Sequence, residues 1–136
     1  MGKLQLEVVT PEKVLVSQEV EMVVAPGTLG EFGILEGHVP FLSGIVPGEL
    51  RYSSGSRTER FVVTSGFAEV SDNRVSILVD AAERAAEIDV ERARRALERA
   101  KERLARERSV GDIDFLRAEA ALKRAIVRMR VAEKQM

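Results

Sequence analysis

Four arginines in the C-terminal third are spaced so that two helices could present them to one anion. Arg92 and Arg99 are seven residues apart and Arg124 and Arg128 are four apart, so each pair would share a helix face. Guanidinium groups bind phosphates and carboxylates through paired hydrogen bonds. At three and four positions from Arg124 and Arg128 the chain has only alanine, valine and these two arginines themselves. The pattern therefore predicts an external anion, either a phosphate or an acidic surface on another protein.

Composition excludes several other kinds of chemistry. The 136 residues include no cysteine and one histidine, His38, which excludes a disulfide framework, a thiol nucleophile and a histidine-rich metal site. No nucleophile or carboxylate pattern accompanies His38, and we expect it to hydrogen-bond its own loop rather than to act as an acid or base. The chain has no Gly-x-x-x-x-Gly-Lys-Ser/Thr phosphate loop. These absences argue against most classes of enzyme, and we expect no metal site and no nucleotide hydrolysis by this chain.

Charge and turn residues divide the chain into two unlike parts. The net charge is -1, without the basic surplus of a general nucleic-acid binder. Residues 1–86 contain nine of the ten glycines and all four prolines, whereas residues 87–136 contain nine alanines and a net charge of +4. Glycine and proline mark turns, while alanine favours helices. We predict two domains with these bounds, in a soluble cytoplasmic protein because no 18-residue apolar run is present.

The first domain has the two-residue apolar period of β-strands. The period occurs at Leu4, Leu6 and Val8, at Val20, Met22 and Val24, at Phe61 and Val63, and at Val75, Ile77 and Val79. Turn signals occur at Pro26-Gly27, Pro47-Gly48, Ser53 to Ser56 and Asp72-Asn73. Short strands without an intervening helical pattern predict an antiparallel β-sandwich or barrel.

The second domain is predicted to be an antiparallel two-helix hairpin, with Asp89 capping the first helix and Gly111 in the connection. The apolar stripes would be Ala93, Leu97, Ala100 and Leu104 on one helix and Leu116, Leu122, Ile126 and Met129 on the other. An alanine-rich stripe buries little apolar surface, so the hairpin is expected to need the sandwich, a ligand or a partner protein for stability. It either docks permanently or moves between partners. Residues 81–87 have no glycine or proline and could extend the helix backwards or form a hinge.

The run from Gly30 to Leu42, with Glu31, His38 and the following Pro47-Gly48, resembles the epsilon subunits of bacterial rotary (F-type) ATP synthases. So does the stretch at residues 112–118, Asp-Ile-Asp-Phe-Leu-Arg-Ala. The resemblance covers essentially the whole chain. It implies a β-sandwich followed by two helices, in a non-catalytic subunit of the rotating central stalk of a proton-translocating enzyme.

The resemblance also implies partners and a location. The sandwich would bind the gamma subunit and the c-ring, with Glu31 in the loop that touches the c-ring. The hairpin would extend along gamma to the alpha and beta subunits and inhibit ATP hydrolysis. The protein would lie at the cytoplasmic face of the cell membrane as a peripheral component of the complex.

Residues 88–93, Ile-Asp-Val-Glu-Arg-Ala, match the motif by which some members of this family bind ATP. The resemblance assigns the regulatory nucleotide to Glu83, Ile88, Asp89, Arg92, Ala93, Arg99, Arg124 and Arg128, with bound ATP holding the hairpin folded. A similar pattern recurs at residues 113–118, where an aspartate cap followed by arginine makes a good helix start without any ligand.

Two other functions remain open at this point. A freestanding nucleotide-sensing module would bind ATP without a stalk partner. A passive adaptor would keep its hairpin docked and would not bind ATP. Association with a gamma subunit distinguishes the stalk subunit from the sensing module.

Overall fold

The computed structural model describes residues 3–106 and 112–135. Its internal contacts divide the chain into two compact units, Met1–Arg84 and Ala85–Met136. The sequence pattern had suggested a boundary after Ala86.

The first unit is built from strands. Those of the described residues are β1 (Leu4–Val9), β2 (Val14–Val20), β3 (Met22–Gly27), β4 (Gly30–Ile34), β5 (Phe41–Ile45), β6 (Gly48–Ser54), β7 (Arg57–Val63), β8 (Gly66–Ser71), β9 (Arg74–Val79) and β10 (Ala82–Arg84). They pair in the order β10-β7-β6-β3-β5-β8-β9-β1-β2, and β4 pairs with β3. This confirms the predicted β-sandwich, although β1 and β9 run parallel while the other described pairs are antiparallel.

The strands form two layers that meet at β3 and β5. We call β10, β7, β6, β3 and β4 the first layer, and β5, β8, β9, β1 and β2 the second. The register between β3 and β5 contains the single pair Gly27 and Ile45. Two further backbone hydrogen bonds support it, from Thr28 N–H to the Gly44 carbonyl at 3.2 Å and from Val46 N–H to the Pro26 carbonyl at 3.0 Å.

The alternation predicted for three of the four stretches is confirmed. Leu4, Leu6 and Val8 are buried, as are Phe61 and Val63, and Val75, Ile77 and Val79. In a pleated strand, alternate residues face the same side, so these positions form the core between the layers. Asp72 and Asn73 both have positive φ, 51° and 61°, which fits the two-residue turn between β8 and β9.

The predicted period from Val20 to Val24 is confirmed at Val20 and Val24, which are buried, and is wrong at Met22. Val20 ends β2, Glu21 lies between the strands, and the next strand buries Val23 and Ala25 completely while Met22 is only half-buried. The Glu21 N–H donates to the Ser53 carbonyl at 2.8 Å, and the residue between the strands resets the alternation.

The turn predicted at Pro26-Gly27 is also wrong. Both residues belong to β3 and pair with Glu31 and Gly30, and the turn lies at residues 28–29. Proline is tolerated here because its carbonyl, rather than a missing N–H, makes the hydrogen bond to Val46.

The second unit consists of a 3-10 turn (Ala85–Glu87), α1 (Val90–Arg106) and α2 (Asp112–Gln135). The two helices pack against each other as the predicted hairpin, and the 3-10 turn contacts α2. Residues 82–87 do not extend α1 backwards, because β10 and the 3-10 turn occupy them; the hinge remains a prediction. Gly111 lies outside the described residues, as do the side chains of residues 112–114 and 135.

The packing stripe of α2 differs from the prediction at its start. Leu116 is 59% exposed, whereas Ala118 is buried and Phe115 half-buried. Phe115 lies seven residues before Leu122 and fourteen before Met129, so it shares their helix face, while Leu116 is turned away by about 100°. Within the described residues, no helix is long and apolar enough to cross a membrane.

Candidate functional site

The start of α1 carries the first part of the predicted nucleotide site. The Asp89 carboxylate accepts a hydrogen bond from the Arg92 N–H at 3.1 Å, and its carbonyl accepts one from the Ala93 N–H at 2.9 Å. This confirms Asp89 as the N-cap. Ile88 and Ala93 are 6% and 1% exposed, so they contribute packing under the turn rather than accessible polar groups.

The four arginines are distributed over the two packed helices. Arg92 and Arg99 lie on α1 and are exposed, Arg124 is exposed on α2, and Arg128 on α2 is half-buried and already has an interaction partner. Nearby carboxylates pair with other cations: Glu91 with Arg94 at 2.7 Å, Glu98 with Lys101 at 3.8 Å and Glu119 with Lys123 at 3.7 Å. Among the described residues, Arg92, Arg99 and Arg124 make no ion pair, so their donors are available to an anion.

Glu83 belongs to the other unit. It lies in β10 as the cross-strand neighbour of Val62, is half-buried and has an interaction partner. The other seven residues of the predicted nucleotide set lie in the hairpin unit.

The Gly30–Leu42 segment contains Glu31 at the exposed start of β4. Its carboxylate accepts hydrogen bonds from Arg51 at 3.1 and 3.5 Å, with the Glu31 side chain 53% exposed. The backbone amide of Gly37 donates to Asn73 Oδ1 at 2.7 Å, which fixes the loop to the turn between β8 and β9.

His38 is bonded within this loop, as expected. Its Nδ1 lies 2.7 Å from the Val39 carbonyl oxygen, and its backbone N–H donates to the Leu35 carbonyl at 3.1 Å. Its ring packs edge-on against Phe41 at 5.6 Å, and Phe41 packs in the same way against Phe32 at 5.1 Å. The histidine therefore helps to shape the loop, as predicted.

The same loop and the turn before it expose apolar side chains that sequence reasoning missed. Leu29 at the tip of the turn is fully exposed, and Leu35, Val39 and Leu42 are 60%, 69% and 71% exposed. We call these four residues the exposed loop surface. Leu29 and Leu35 flank the two ends of β4, so the four residues are exposed apolar positions along this segment, of the kind found at contact surfaces.

A second apolar surface lies on the outside of the second layer. Phe67 and Leu78 are cross-strand partners and are 62% and 49% exposed, and Val9 is the partner of Leu78 on its other side. We call these three residues the outer apolar face. They line a groove of about 350 Å³ together with Thr10, Pro11, Gly66, Val79 and Asp80. The alternation of β8, which buries Ala68 and Val70, is the signal that could have placed Phe67 outside.

Both units match models of one protein family. Residues 3–85 match the ATP synthase delta/epsilon chain β-sandwich domain, and residues 86–133 match the long α-helix domain of the same chain. The chain belongs to the ATP synthase delta/epsilon family.

Its curated relatives carry the name ATP synthase epsilon chain. The relative from Nitratidesulfovibrio vulgaris (strain DP4) is 51% identical over 128 residues, which cover 94% of each chain. The relative from Syntrophobacter fumaroxidans is 52% identical over 132 residues, or 97% of each. The relative from Desulforapulum autotrophicum is 53% identical over 129 residues, or 94% of each.

Solved structures share the family fold. A chain in the cryo-EM structure of the Euglena gracilis mitochondrial ATP synthase (OSCP/F1/c-ring) superposes with a TM-score of 0.81 at 26% identity, over 91% of this chain and 78% of that one. A chain of the Tetrahymena thermophila mitochondrial ATP synthase matches in fold, with a TM-score of 0.60 at 20% identity over 98% and 96% of the two chains.

No group of three or more metal-ligating side chains is found in the part of the chain that the structure describes. The family match identifies the chain as a subunit of an ATP synthase.

Proposed function

We propose that this chain is the epsilon subunit of the central stalk in a proton-translocating F-type ATP synthase, where it links the gamma subunit to the c-ring. The observation that carries the proposal is the match of both units to one family, with relatives named epsilon chain at about half identity over nearly their whole length. Within the complex, the protein would lie peripherally at the cytoplasmic face of the cell membrane.

The outer apolar face supports the contact with gamma. Phe67 and Leu78 are large apolar side chains that are exposed to solvent. They lie on strands in which buried and exposed residues alternate. An aromatic residue at the centre of an apolar patch is typical of the buried centre of a protein interface. Covering it with a partner removes about 25 cal/mol of unfavourable hydration for each Å² buried.

The exposed loop surface and Glu31 support the contact with the c-ring. The Glu31–Arg51 pair is exposed, and pairs of this kind contribute about 0–1 kcal/mol. Because the pair is weak, the carboxylate can exchange Arg51 for a cationic or amide group of a polar loop at little cost. The apolar residues around it then supply the buried area.

The hairpin would regulate the enzyme. The available donors of Arg92, Arg99 and Arg124 and the net charge of +4 favour an acidic surface on the alpha and beta subunits, or the phosphates of ATP. When the hairpin binds the acidic surface of the alpha and beta subunits, it inhibits ATP hydrolysis. When it binds ATP instead, the hairpin stays folded. ATP is then a regulatory ligand, and neither a cofactor nor a metal is needed.

Co-purification tests the proposal. A tagged full-length chain, expressed in its own host, is expected to retain gamma and the c-ring through purification at physiological salt. ATP binding without either partner would favour the freestanding sensing module instead. Retention of the partners with no effect of the hairpin on hydrolysis would favour the passive adaptor.

A further inference from the structure

The two ends of the β-sheet are β10 and β2, and one side chain connects them. Arg84 of β10 donates a hydrogen bond from Nη2 to the Leu15 carbonyl of β2 at 3.0 Å. Its guanidinium carbon lies 4.9 Å from the centre of the Phe61 ring, which is completely buried. A charge-assisted hydrogen bond and a cation over an aromatic face are both favourable in a partly desolvated place.

The ring stack beneath Arg84 continues into the core. Phe61 lies directly opposite Arg84 on the neighbouring strand and stacks on Tyr52 at 6.2 Å with an angle of 29°. Arg84 therefore covers the buried Phe61 ring at the edge where β10 of the first layer faces β2 of the second. Beside it is a polar cavity of about 260 Å³ lined by Gln18, Tyr52, Ser54, Arg57, Glu59 and Arg84.

Backbone contacts alone hold β10 only lightly. It has three residues, paired to Val63, Val62 and Phe61. Thr64 adds three hydrogen bonds to the preceding Ala81: its N–H and its hydroxyl donate to the Ala81 carbonyl at 3.0 and 3.3 Å, and the Ala81 N–H donates to its Oγ1 at 2.9 Å. Short edge strands with few hydrogen bonds open at low free energy, so a side-chain anchor has a large effect.

We propose that Arg84 is a clasp that closes the open edge between the two layers and anchors β10. The chain up to Arg84 then stays with the sandwich when the hairpin changes position, and the turning is confined to residues 85–89. The closure of the sheet by Arg84 is inferred from the geometry alone, whereas the movement of the hairpin is part of the proposed function.

Hydrogen–deuterium exchange in the full-length protein tests the clasp. Arg84→Met keeps the aliphatic stem over Phe61 but removes the donors and the charge. We expect the amides whose hydrogen bonds pair β10 with β7 to exchange about ten-fold faster, as for the loss of one hydrogen bond to a charged group. Arg57→Met is the matched control, since Arg57 lines the same cavity but its side chain is 83% exposed and pairs with Glu59 only at 3.7 Å. Wild-type exchange in β10 of the Arg84→Met variant would overturn the clasp.

A second variant keeps this test decisive if Arg84→Met does not fold. Arg84→Lys retains a cation but lacks the planar guanidinium that reaches both Leu15 and the Phe61 ring. Faster exchange confined to β10 and β2 supports the clasp. Exchange equal to that of the wild type contradicts it.

A cross-link tests where the hairpin turns. Because Thr64 and Ala81 are hydrogen-bonded partners, the next pair, Val63 and Ala82, is non-hydrogen-bonded, the type whose side chains lie closest. The chain has no cysteine, so Val63→Cys with Ala82→Cys introduces a single possible disulfide that fastens β10 to β7.

The cross-linked chain is assayed in the assembled ATP synthase. We expect the same inhibition of ATP hydrolysis, and the same relief by ATP, in the oxidised and reduced forms. If oxidation abolished the relief of inhibition by ATP, β10 would have to detach from β7 during the movement. That result would overturn the proposal that the turning is confined to residues 85–89. If removal of residues 87–136 does not change hydrolysis at all, the regulatory function fails, while the exchange experiment still decides the clasp.

Discussion

Arg51 and Glu31 form an ion pair across the full width of β3. The guanidinium, on β6, lies 3.1 and 3.5 Å from the two carboxylate oxygens, on β4, and both strands pair with β3 between them. The pair therefore couples the start of the loop segment to the middle of the first layer. Its exposure makes it a readily exchanged contact rather than a structural one.

Glu31→Gln is expected to weaken binding to the c-ring while leaving the stability of the isolated protein almost unchanged. Loss of an exposed ion pair lowers the free energy of unfolding by at most about 1 kcal/mol, so thermal melting of the isolated protein should change little. Retention of the c-ring on the tagged chain should fall. Glu19→Gln, at an exposed acid on β2, is the control and should alter neither. Full c-ring retention by the Glu31→Gln variant would remove Glu31 from the interface.

Arg124→Ala is expected to weaken ATP binding by about ten-fold or more, because one charge-assisted contact to phosphate is lost. Calorimetric titration of ATP and ADP into the full-length protein measures this. Arg130→Ala is the matched control, since Arg130 is exposed on the same helix and lies outside the predicted set. Equal affinities in the wild type and the Arg124→Ala variant would contradict the assignment.

Asp89→Ala is expected to destabilise the start of α1 by about 1 kcal/mol, because the Arg92 N–H loses its side-chain acceptor. Asp89→Asn retains a capping oxygen and should cost much less. Amide exchange at Arg92 distinguishes the two variants. If both accelerate exchange equally, the carboxylate charge rather than the cap stabilises this helix start.

Phe67→Ser and Leu78→Ser are expected to reduce retention of gamma with only a small change in the melting temperature, since Phe67 is 62% and Leu78 49% exposed in the isolated chain. Val14→Ser provides the control, because Val14 is 55% exposed on β2, away from the groove. A fall in the melting temperature of the isolated protein would show that these residues stabilise the sandwich itself. Unchanged gamma retention would place the contact elsewhere.

Gly66→Ala is expected to destabilise the sandwich by about 1–3 kcal/mol, the usual cost of overpacking. The added methyl group would overlap the Leu78 carbonyl and lie 2.7 Å from the Val79 Cα, and these backbone atoms cannot move without breaking the pairing of β8 with β9. Gly33→Ala is the control, because its nearest neighbour would be a Val24 methyl group at 4.0 Å. Denaturant unfolding compares the two, and equal midpoints would contradict the steric explanation.

Local periodicity was sufficient to predict much of the fold. The core positions of β1 and β9, the cap at Asp89 and the turn at Asp72-Asn73 depend on neighbours in sequence, and the structure confirms them. The residue between β2 and β3 could not be foreseen, because alternation alone does not show that Glu21 bonds to Ser53. The sequence pattern assigned Leu116 to the packing face of α2 wrongly, because several apolar residues near the start of this helix could occupy that face.

The functional surfaces were predictable only where a motif marked them. Glu31 stands in a recognisable loop, but its partner Arg51 is twenty residues away and is brought near by β3. Phe67 and Leu78 resemble ordinary strand residues until the register sets them side by side on the outside. The eight residues assigned to ATP remain a prediction, divided between the hairpin and β10.

The uneven joining of the two layers has a mechanical consequence. Backbone contacts around Gly27 and Ile45 connect the layers at one edge, whereas a side-chain hydrogen bond from Arg84 connects β10 to β2 at the other. A torque that shears the layers is therefore resisted stiffly at the first edge and compliantly at the second. In the rotating role of the proposed function, the protein would store elastic strain on the compliant edge, next to the point where the chain leaves for the helices.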